Sequence, residues 1–265
     1  MSNPEGEMEN LTVTVVQTTL HWHQPEKNRA MLDQKLSSLT QPTNLIILPE
    51  MFTTGFSMAA PELAETMAGL TLPWLAAQAE KYQAVITGSL IIKEENNYFN
   101  RLIWMQPDGN YQHYDKRHLF RMAGETEIFT AGQHKLILTL KGWRICPLIC
   151  YDLRFPVWSR NRQNEYDLLL YVANWPEKRR LTWQNFLPAR ANENQAYVIG
   201  VNRVGIDGNH ISYSGDSSVY DYLGQTLWQQ YQEEAVQTLT LDGTALEAYR
   251  KAFPAYLDAD DFILK

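Results

Sequence analysis

From residue 11 onward the chain alternates runs of apolar, β-branched residues with longer segments of helical spacing. Leu11-Thr-Val-Thr-Val-Val-Gln17 predicts a first strand, Glu26 to Leu39 a polar helix, and Asn44 to Leu48 a short buried strand. Thr71 predicts an N-cap for a helix over Leu72 to Lys81, with Pro73 in its first turn, where proline is well tolerated. Residues 84–92 and 98–105 predict two strands joined by the polar Lys93-Glu-Glu-Asn-Asn97, and Pro107-Asp-Gly109 turns the chain into a third. Residues 117–133 read as a polar loop without a period. Strands over 134–140 and 143–150 flank a Lys141-Gly142 turn, followed by a helix at 153–164, a strand at 166–172, a helix at 179–195 and a strand at 197–203. Gly205-Ile-Asp-Gly-Asn209 reads as a loop. Strands near 216–221, 225–230 and 235–240 and a helix near 243–252 complete the pattern, before an aromatic, acidic tail from about residue 253.

Hairpins mixed with crossover helices point to a layered α/β architecture and argue against a purely parallel doubly wound sheet. No repeat, low-complexity tract or Pro/Gly/Ser linker divides the chain, so residues 1–265 are expected to form a single domain. The tail from Phe253-Pro-Ala-Tyr256 to Phe262-Ile-Leu is too apolar to be left in water and is expected to pack on the body or on a partner subunit.

Of the 265 residues, 45% are hydrophobic and 20% charged, ordinary values for a globular protein. A formal charge of −7 argues against general nucleic-acid binding. No apolar run approaches the roughly 20 residues that span a bilayer. The start of the chain lacks the basic residues and apolar stretch of a secretory signal, which points to the cytoplasm. Cys146 and Cys150, four residues apart on one extended segment, would sit about 13 Å from each other at roughly 3.3 Å per residue, too far for a disulfide. Two free thiols fit a reducing compartment.

Three segments each place one ionisable side chain just beyond a strand-like run. They are Leu45-Ile-Ile-Leu-Pro-Glu50-Met-Phe, Tyr114-Asp-Lys116-Arg-His118-Leu-Phe and Ile145-Cys-Pro-Leu-Ile-Cys150, which is followed by Tyr151-Asp-Leu-Arg154-Phe-Pro156. A neutral thiol is a modest nucleophile, so a catalytic cysteine needs a base or a nearby positive charge. Glu50 can take its proton and Lys116 can stabilise an anion. Attack of Cys150 on a carboxamide would build an oxyanion for which Lys116 and the backbone N–H of Tyr151 are candidate donors. Protonated Glu50 could then give its proton to the departing nitrogen and activate water against the thioester.

These segments resemble the markers of the carbon-nitrogen hydrolase family, also called the nitrilase superfamily, and the likeness runs from about Val13 to Asp242. The resemblance implies an α-β-β-α sandwich of two mixed sheets, usually paired as a homodimer, with Glu50 as general base, Lys116 as oxyanion stabiliser and Cys150 as nucleophile. It also implies a second, supporting glutamate, Glu125, with Glu127 two residues on as the alternative. Cys150-Tyr-Asp-Leu-Arg-Phe-Pro156, Tyr171-Val-Ala-Asn-Trp-Pro176 and Asn202-Arg-Val-Gly205 look most like the bacterial omega-amidases, which hydrolyse 2-oxoglutaramate or 2-oxosuccinamate. The first motif is shared with relatives that cleave deaminated glutathione. A small amide with a far carboxylate would need a cation, and Arg154 could meet it, or else pair with an internal Asp or Glu and order its turn. Trp175 is a candidate for the pocket mouth beside Cys150, or for plain core.

Other chemistries are weaker. His118 could serve Cys150 as the base of a protease-like pair, but its neighbour Lys116 disfavours the protonated ring. His21-Trp-His23 would put two imidazoles on one face of a strand, yet nothing completes a recognised metal set. No Gly-rich phosphate loop or G-x-G-x-x-G is present, so no cofactor is implied. Ser217, in Gly215-Asp-Ser-Ser-Val, lacks the spacing of a nucleophile elbow. A non-catalytic binding scaffold is the alternative from a different class, although a scaffold has no need of an acid, an amine and a thiol at separate strand ends.

Overall fold

Short strands buried on both faces set the architecture. In β2 (Leu45–Ile47), Leu45 and Ile47 pack into one apolar cluster, while Ile46 and the following Leu48 pack into another, as the two-residue period of a strand requires. The computed structural model describes residues 8–264, so the start of the acidic N-terminal segment lies outside the described residues.

The first sheet has the order β13 (Ala235–Leu241), β1 (Leu11–Gln17), β2, β3 (Val85–Glu94), β4 (Asn97–Met105), β5 (Tyr111–Asp115). Strands β1, β2 and β3 are parallel and the remaining pairs antiparallel. The second sheet contains β6 (Leu138–Leu140), β7 (Trp143–Ile149), β8 (Leu168–Ala173), β9 (Tyr197–Asn202), β10 (Val204–Ile206), β11 (Ser212–Tyr220) and β12 (Thr226–Tyr231). Its β7, β8 and β9 are parallel, and β11 pairs antiparallel with β9, β10 and β12.

Val13, Val15, Leu102 and Trp104 of the first sheet share a core with Ile145, Leu148 and Val172 of the second. Against the outer face of the first sheet lie α1 (Pro25–Leu36) and α3 (Thr71–Tyr82), through Leu32, Leu36, Leu72 and Leu75. On the second sheet, α6 (Arg180–Asn194) comes so close at Gly200 that a Cβ there would meet Leu187 at 2.6 Å and Trp183 at 2.7 Å. The result is the expected α-β-β-α layering of two mixed sheets. Three single-turn helices, α2 (Ala60–Leu63), α4 (Glu125–Ile128) and α5 (Pro156–Ser159), lie in connections, and α7 (Gly243–Ala252) follows β13. Among the described residues no helix is long and apolar enough to cross a membrane.

Several local expectations are corrected. Thr71 is the first residue of α3 and not its cap, because its N–H (2.8 Å) and hydroxyl both donate to the Glu65 carboxylate. The helix expected over 153–164 is broken into a 3-10 turn at Cys150–Arg154, α5 and a second 3-10 turn at Arg162–Asn164. Pro156 is the reason: the residue before a proline is driven extended, and Phe155 has φ −112° and ψ 90°. The loop over 117–133 holds a 3-10 turn at Arg121–Ala123 and α4. The loop over 205–209 is a tight turn between β10 and β11, closed by Asp207, whose carboxylate accepts the N–H groups of Asn209 (2.8 Å) and Ile211 (3.0 Å). The strand expected over 134–140 shrinks to β6, and α1 stops at Leu36.

The tail lies on the body. Arg162 pairs with Asp261 at 2.7 Å and stands over the Phe262 ring at 5.2 Å, and Gln195 donates to the Phe253 carbonyl at 2.8 Å. Leu257 and Ile263 nevertheless remain 71% and 87% exposed.

A buried charge cluster ties α7 to the second sheet. Asp167 accepts from Arg250 at 2.5 Å and Arg144 at 2.7 Å, while Arg250 also donates to the carbonyls of Tyr166 and Gln195 at 2.8 Å each. Removing one member of such a pair strands a buried charge. Asp167→Ala is expected to cost about 3 kcal/mol in urea unfolding, and a loss under about 0.5 kcal/mol, the size of an ordinary surface change, would contradict this assignment.

Candidate active site

Four strand ends meet at one edge of the sandwich, two from each sheet. Glu50 follows β2, Lys116 follows β5, Cys150 follows β7, and Asn174 follows β8. Lys116 Nζ donates to Glu50 Oε1 at 3.0 Å and to both oxygens of Glu125 at 3.0 Å. All three side chains are buried. Glu127 is exposed, so of the two candidate supporting glutamates the structure brings only Glu125 to Lys116.

The chain reaches this arrangement through specific backbone devices. Lys116 is held at the end of β5 by its own N–H to the Asn100 carbonyl (3.0 Å) and by Gly132 N–H to its carbonyl (2.9 Å). Only glycine fits at 132, since a Cβ would lie 2.0 Å from the Asp115 carbonyl oxygen. Glu125 begins α4 directly after Gly124, whose φ of 76° suits glycine, and accepts Phe120 N–H at 2.5 Å. Cys150 has φ 43°, a left-handed conformation that is strained for a residue with a Cβ and that turns the chain sharply out of β7.

Residues with no obvious chemical signal in the sequence complete the cluster. Asn100, in the middle of β4, donates to Glu50 Oε1 at 2.7 Å and Glu125 Oε1 at 3.3 Å, and accepts Ser89 Oγ at 2.8 Å. Asn174 donates its backbone N–H to Glu50 Oε2 at 2.7 Å and its amide to the Glu50 carbonyl at 2.5 Å, joining the two sheets. Asp152 clasps the cysteine turn to the lysine segment by accepting Tyr114 OH (2.8 Å), Ile149 N–H (3.0 Å) and His118 N–H (3.0 Å).

Cys150, Lys116 and Asn174 open onto a cavity of about 640 Å³ walled by Trp22, Phe56, Phe120, Tyr151 and Trp175. Glu50 and Glu125 lie beneath that surface. Arg154 and Arg179 also line it. Arg154 donates to Thr182 Oγ1 at 3.4 Å and its guanidinium lies 5.5 Å from the Trp175 ring; among the described residues no carboxylate pairs with it, against the internal-pair alternative. Arg179, which sequence reasoning missed, stands over Phe120 at 4.8 Å.

Electrostatics follow burial. Desolvation opposes the charge on Lys116, but the carboxylates of Glu125 and Glu50 outweigh it and hold the ammonium well above the ordinary lysine value. Burial raises Glu125, with Lys116 pulling it back. Burial, reinforced by the Glu50 carboxylate, pushes the Cys150 thiol well above its usual value, while Lys116 acts in the opposite direction. Burial thus favours the neutral thiol over the thiolate, and Lys116 favours the anion. Cys146 is a buried free thiol, pushed up to about 12 by desolvation.

The rival sites come apart. His118 donates its N–H to Asp152 and holds Nδ1 2.7 Å from the same carboxylate, stacked at 3.8 Å on Phe155, and it does not line the cavity. His21-Trp-His23 lies in a turn and not on a strand; His23 meets Ser57 Oγ at 2.8 Å, and no group of three or more His, Cys, Asp or Glu among the described residues could hold a metal ion. Ser217 is buried in β11 and bonded to the Asn202 backbone.

The sequence profile of the Carbon-nitrogen hydrolase family matches residues 12–251. The chain is 47% identical over 263 residues to the omega-amidase YafV of Yersinia enterocolitica, covering 97% of this chain and all of that one. It is 28% identical to the 2-oxoglutaramate amidase of Bacillus subtilis (strain 168), over 93% of this chain and 96% of that one. Among solved structures, XC1258 from Xanthomonas campestris, a CN-hydrolase superfamily protein with an arsenic adduct in its active site, superposes with a TM-score of 0.95 at 46% identity, covering 97% of this chain and 100% of that one. Profile, sequence and fold agree, and the chain belongs to the carbon-nitrogen hydrolase family.

Proposed function

We propose that this chain is an omega-amidase, hydrolysing the terminal carboxamide of a small 2-oxo dicarboxylic acid monoamide such as 2-oxoglutaramate or 2-oxosuccinamate. The observation that carries the reading is a cavity lined by Cys150 and Lys116 together with two arginines, Arg154 and Arg179. The names of two relatives, an omega-amidase and a 2-oxoglutaramate amidase, point the same way.

In this reading Cys150 Sγ attacks the carboxamide carbon as its proton passes to Glu50, and the carbonyl oxygen becomes an oxyanion. Lys116 Nζ and the N–H of Tyr151 take that charge; the N–H groups of a helix's first turn have no intrahelical acceptor and are free to do so. Glu50 returns the proton to nitrogen, the C–N bond breaks, and ammonia leaves a thioester on Cys150. Water then gives a proton to Glu50 and its oxygen to the acyl carbon. The C–S bond breaks and the sulfur recovers that proton, so one carboxylate serves both half-reactions. Glu125 holds Lys116 in place through both of its carboxylate oxygens. Tyr151 and Trp175 bound the acyl chain, and Arg154 takes the far carboxylate with Arg179 beside it.

We further infer that residues 1–265 act as one domain, in the cytoplasm, and pair as a homodimer. Leu181 on α6 and Val157 on α5 are 70% and 50% exposed, apolar surface that a second copy would cover. Sedimentation is expected to give twice the chain mass, and a monomer at all concentrations would contradict the pairing.

Ammonia release tests the activity. Wild type is expected to turn over 2-oxoglutaramate and succinamate, and Cys150→Ala to be inactive. Arg154→Met and Arg179→Met are each expected to raise KM for these acids by roughly tenfold or more, the scale of a lost charge-assisted contact, with little effect on a neutral amide. Silence of folded wild type on every omega-amide would overturn the reading.

A further inference from the structure

Asn174 has one polar atom that the folded chain leaves unanswered. The residue is 3% exposed, and its amide nitrogen donates to the Glu50 carbonyl. A carbonyl oxygen only accepts, so this contact fixes the orientation of the amide and leaves Oδ1 as the other atom. Oδ1 has no hydrogen-bond partner, although Asn174 lines the cavity together with Cys150 and Lys116. A buried acceptor without a donor costs roughly 1–3 kcal/mol, so such an atom beside a reaction centre marks where a ligand's donor belongs.

We propose that Asn174 Oδ1 accepts an N–H from the carboxamide nitrogen of the substrate and so selects primary amides over the corresponding esters and acids. The inference rests on the reading that Cys150 attacks a carboxamide. When the carbonyl oxygen turns to Lys116, the nitrogen must lie near the group that protonates it, which is Glu50. Glu50 Oε2 is bonded to the Asn174 backbone at 2.7 Å, so the proton donor and the orphaned acceptor are adjacent. A carboxamide offers two N–H donors there, whereas an ester oxygen offers none and would leave Oδ1 unpaired. The bond also strengthens as the nitrogen takes up its proton and becomes a better donor, so it assists departure of ammonia as well as recognition.

The test compares succinamate with monomethyl succinate, which share an acyl group, in wild type, Asn174→Ala and Asn174→Asp. Asn174→Ala is expected to lower the ratio of amide to ester kcat/KM by roughly tenfold, the size of one buried hydrogen bond. Asn174→Asp keeps an oxygen acceptor but loses the donor to the Glu50 carbonyl; its absolute rates are expected to fall while the ratio stays near that of wild type. Equal losses on both substrates in Asn174→Ala would show that the residue only positions Glu50 and would overturn the proposal. Should Asn174→Ala fail to fold, collapse of the ratio in Asn174→Asp overturns it instead. Wild type that releases ammonia from no carboxamide would remove the underlying reading too, an outcome distinct from active wild type with an unchanged ratio.

Discussion

The rest of the site depends on one buried charge cluster, in which the Lys116 ammonium stands between the carboxylates of Glu50 and Glu125 at 3.0 Å from each. Two anions and one cation without water are costly unless further donors meet the carboxylates. Asn100, Asn174 and the Phe120 N–H provide those donors. The cluster therefore also fixes how the sheets meet, because Glu50 belongs to the first and Asn174 to the second.

Strand ends make this placement possible. Parallel strands with both faces covered deliver their last residues to a common edge, and sharp turns there expose a side chain that would otherwise point into a core. Cys150 illustrates the cost of that position, with its φ of 43° at the point where β7 becomes a 3-10 turn. Asp152, two residues on, ties this turn to the segment carrying Lys116, so Cys150 and Lys116 are positioned relative to each other by one buried carboxylate.

Much of the molecule is legible in its sequence, for local reasons. Strands β2 and β7 are short, mostly apolar runs with Glu50 and Cys150 just past them, and Lys116 stands just past the polar strand β5. What is not legible depends on contacts distant in sequence. Asn100 is a polar residue in the middle of β4, and only the fold brings Glu50, fifty residues away, to its amide. Asn174 lies within a quoted motif, yet its bond to Glu50 spans 124 residues. Arg179 looks like any charge at the start of a helix until the cavity forms beside it. The helix expected over 153–164 carries a visible warning in Pro156, which drives Phe155 extended.

The central claim is that Cys150 carries the acyl group and that the buried Glu50 moves the proton in both half-reactions. Rapid-quench mass spectrometry of the protein mixed with succinamate tests it most directly. The account requires a transient adduct equal to substrate minus ammonia on the peptide bearing Cys150 in wild type, and no such adduct in folded Glu50→Gln. Turnover by wild type without any adduct on Cys150, or acylation of Glu50→Gln at the wild-type rate, would contradict it.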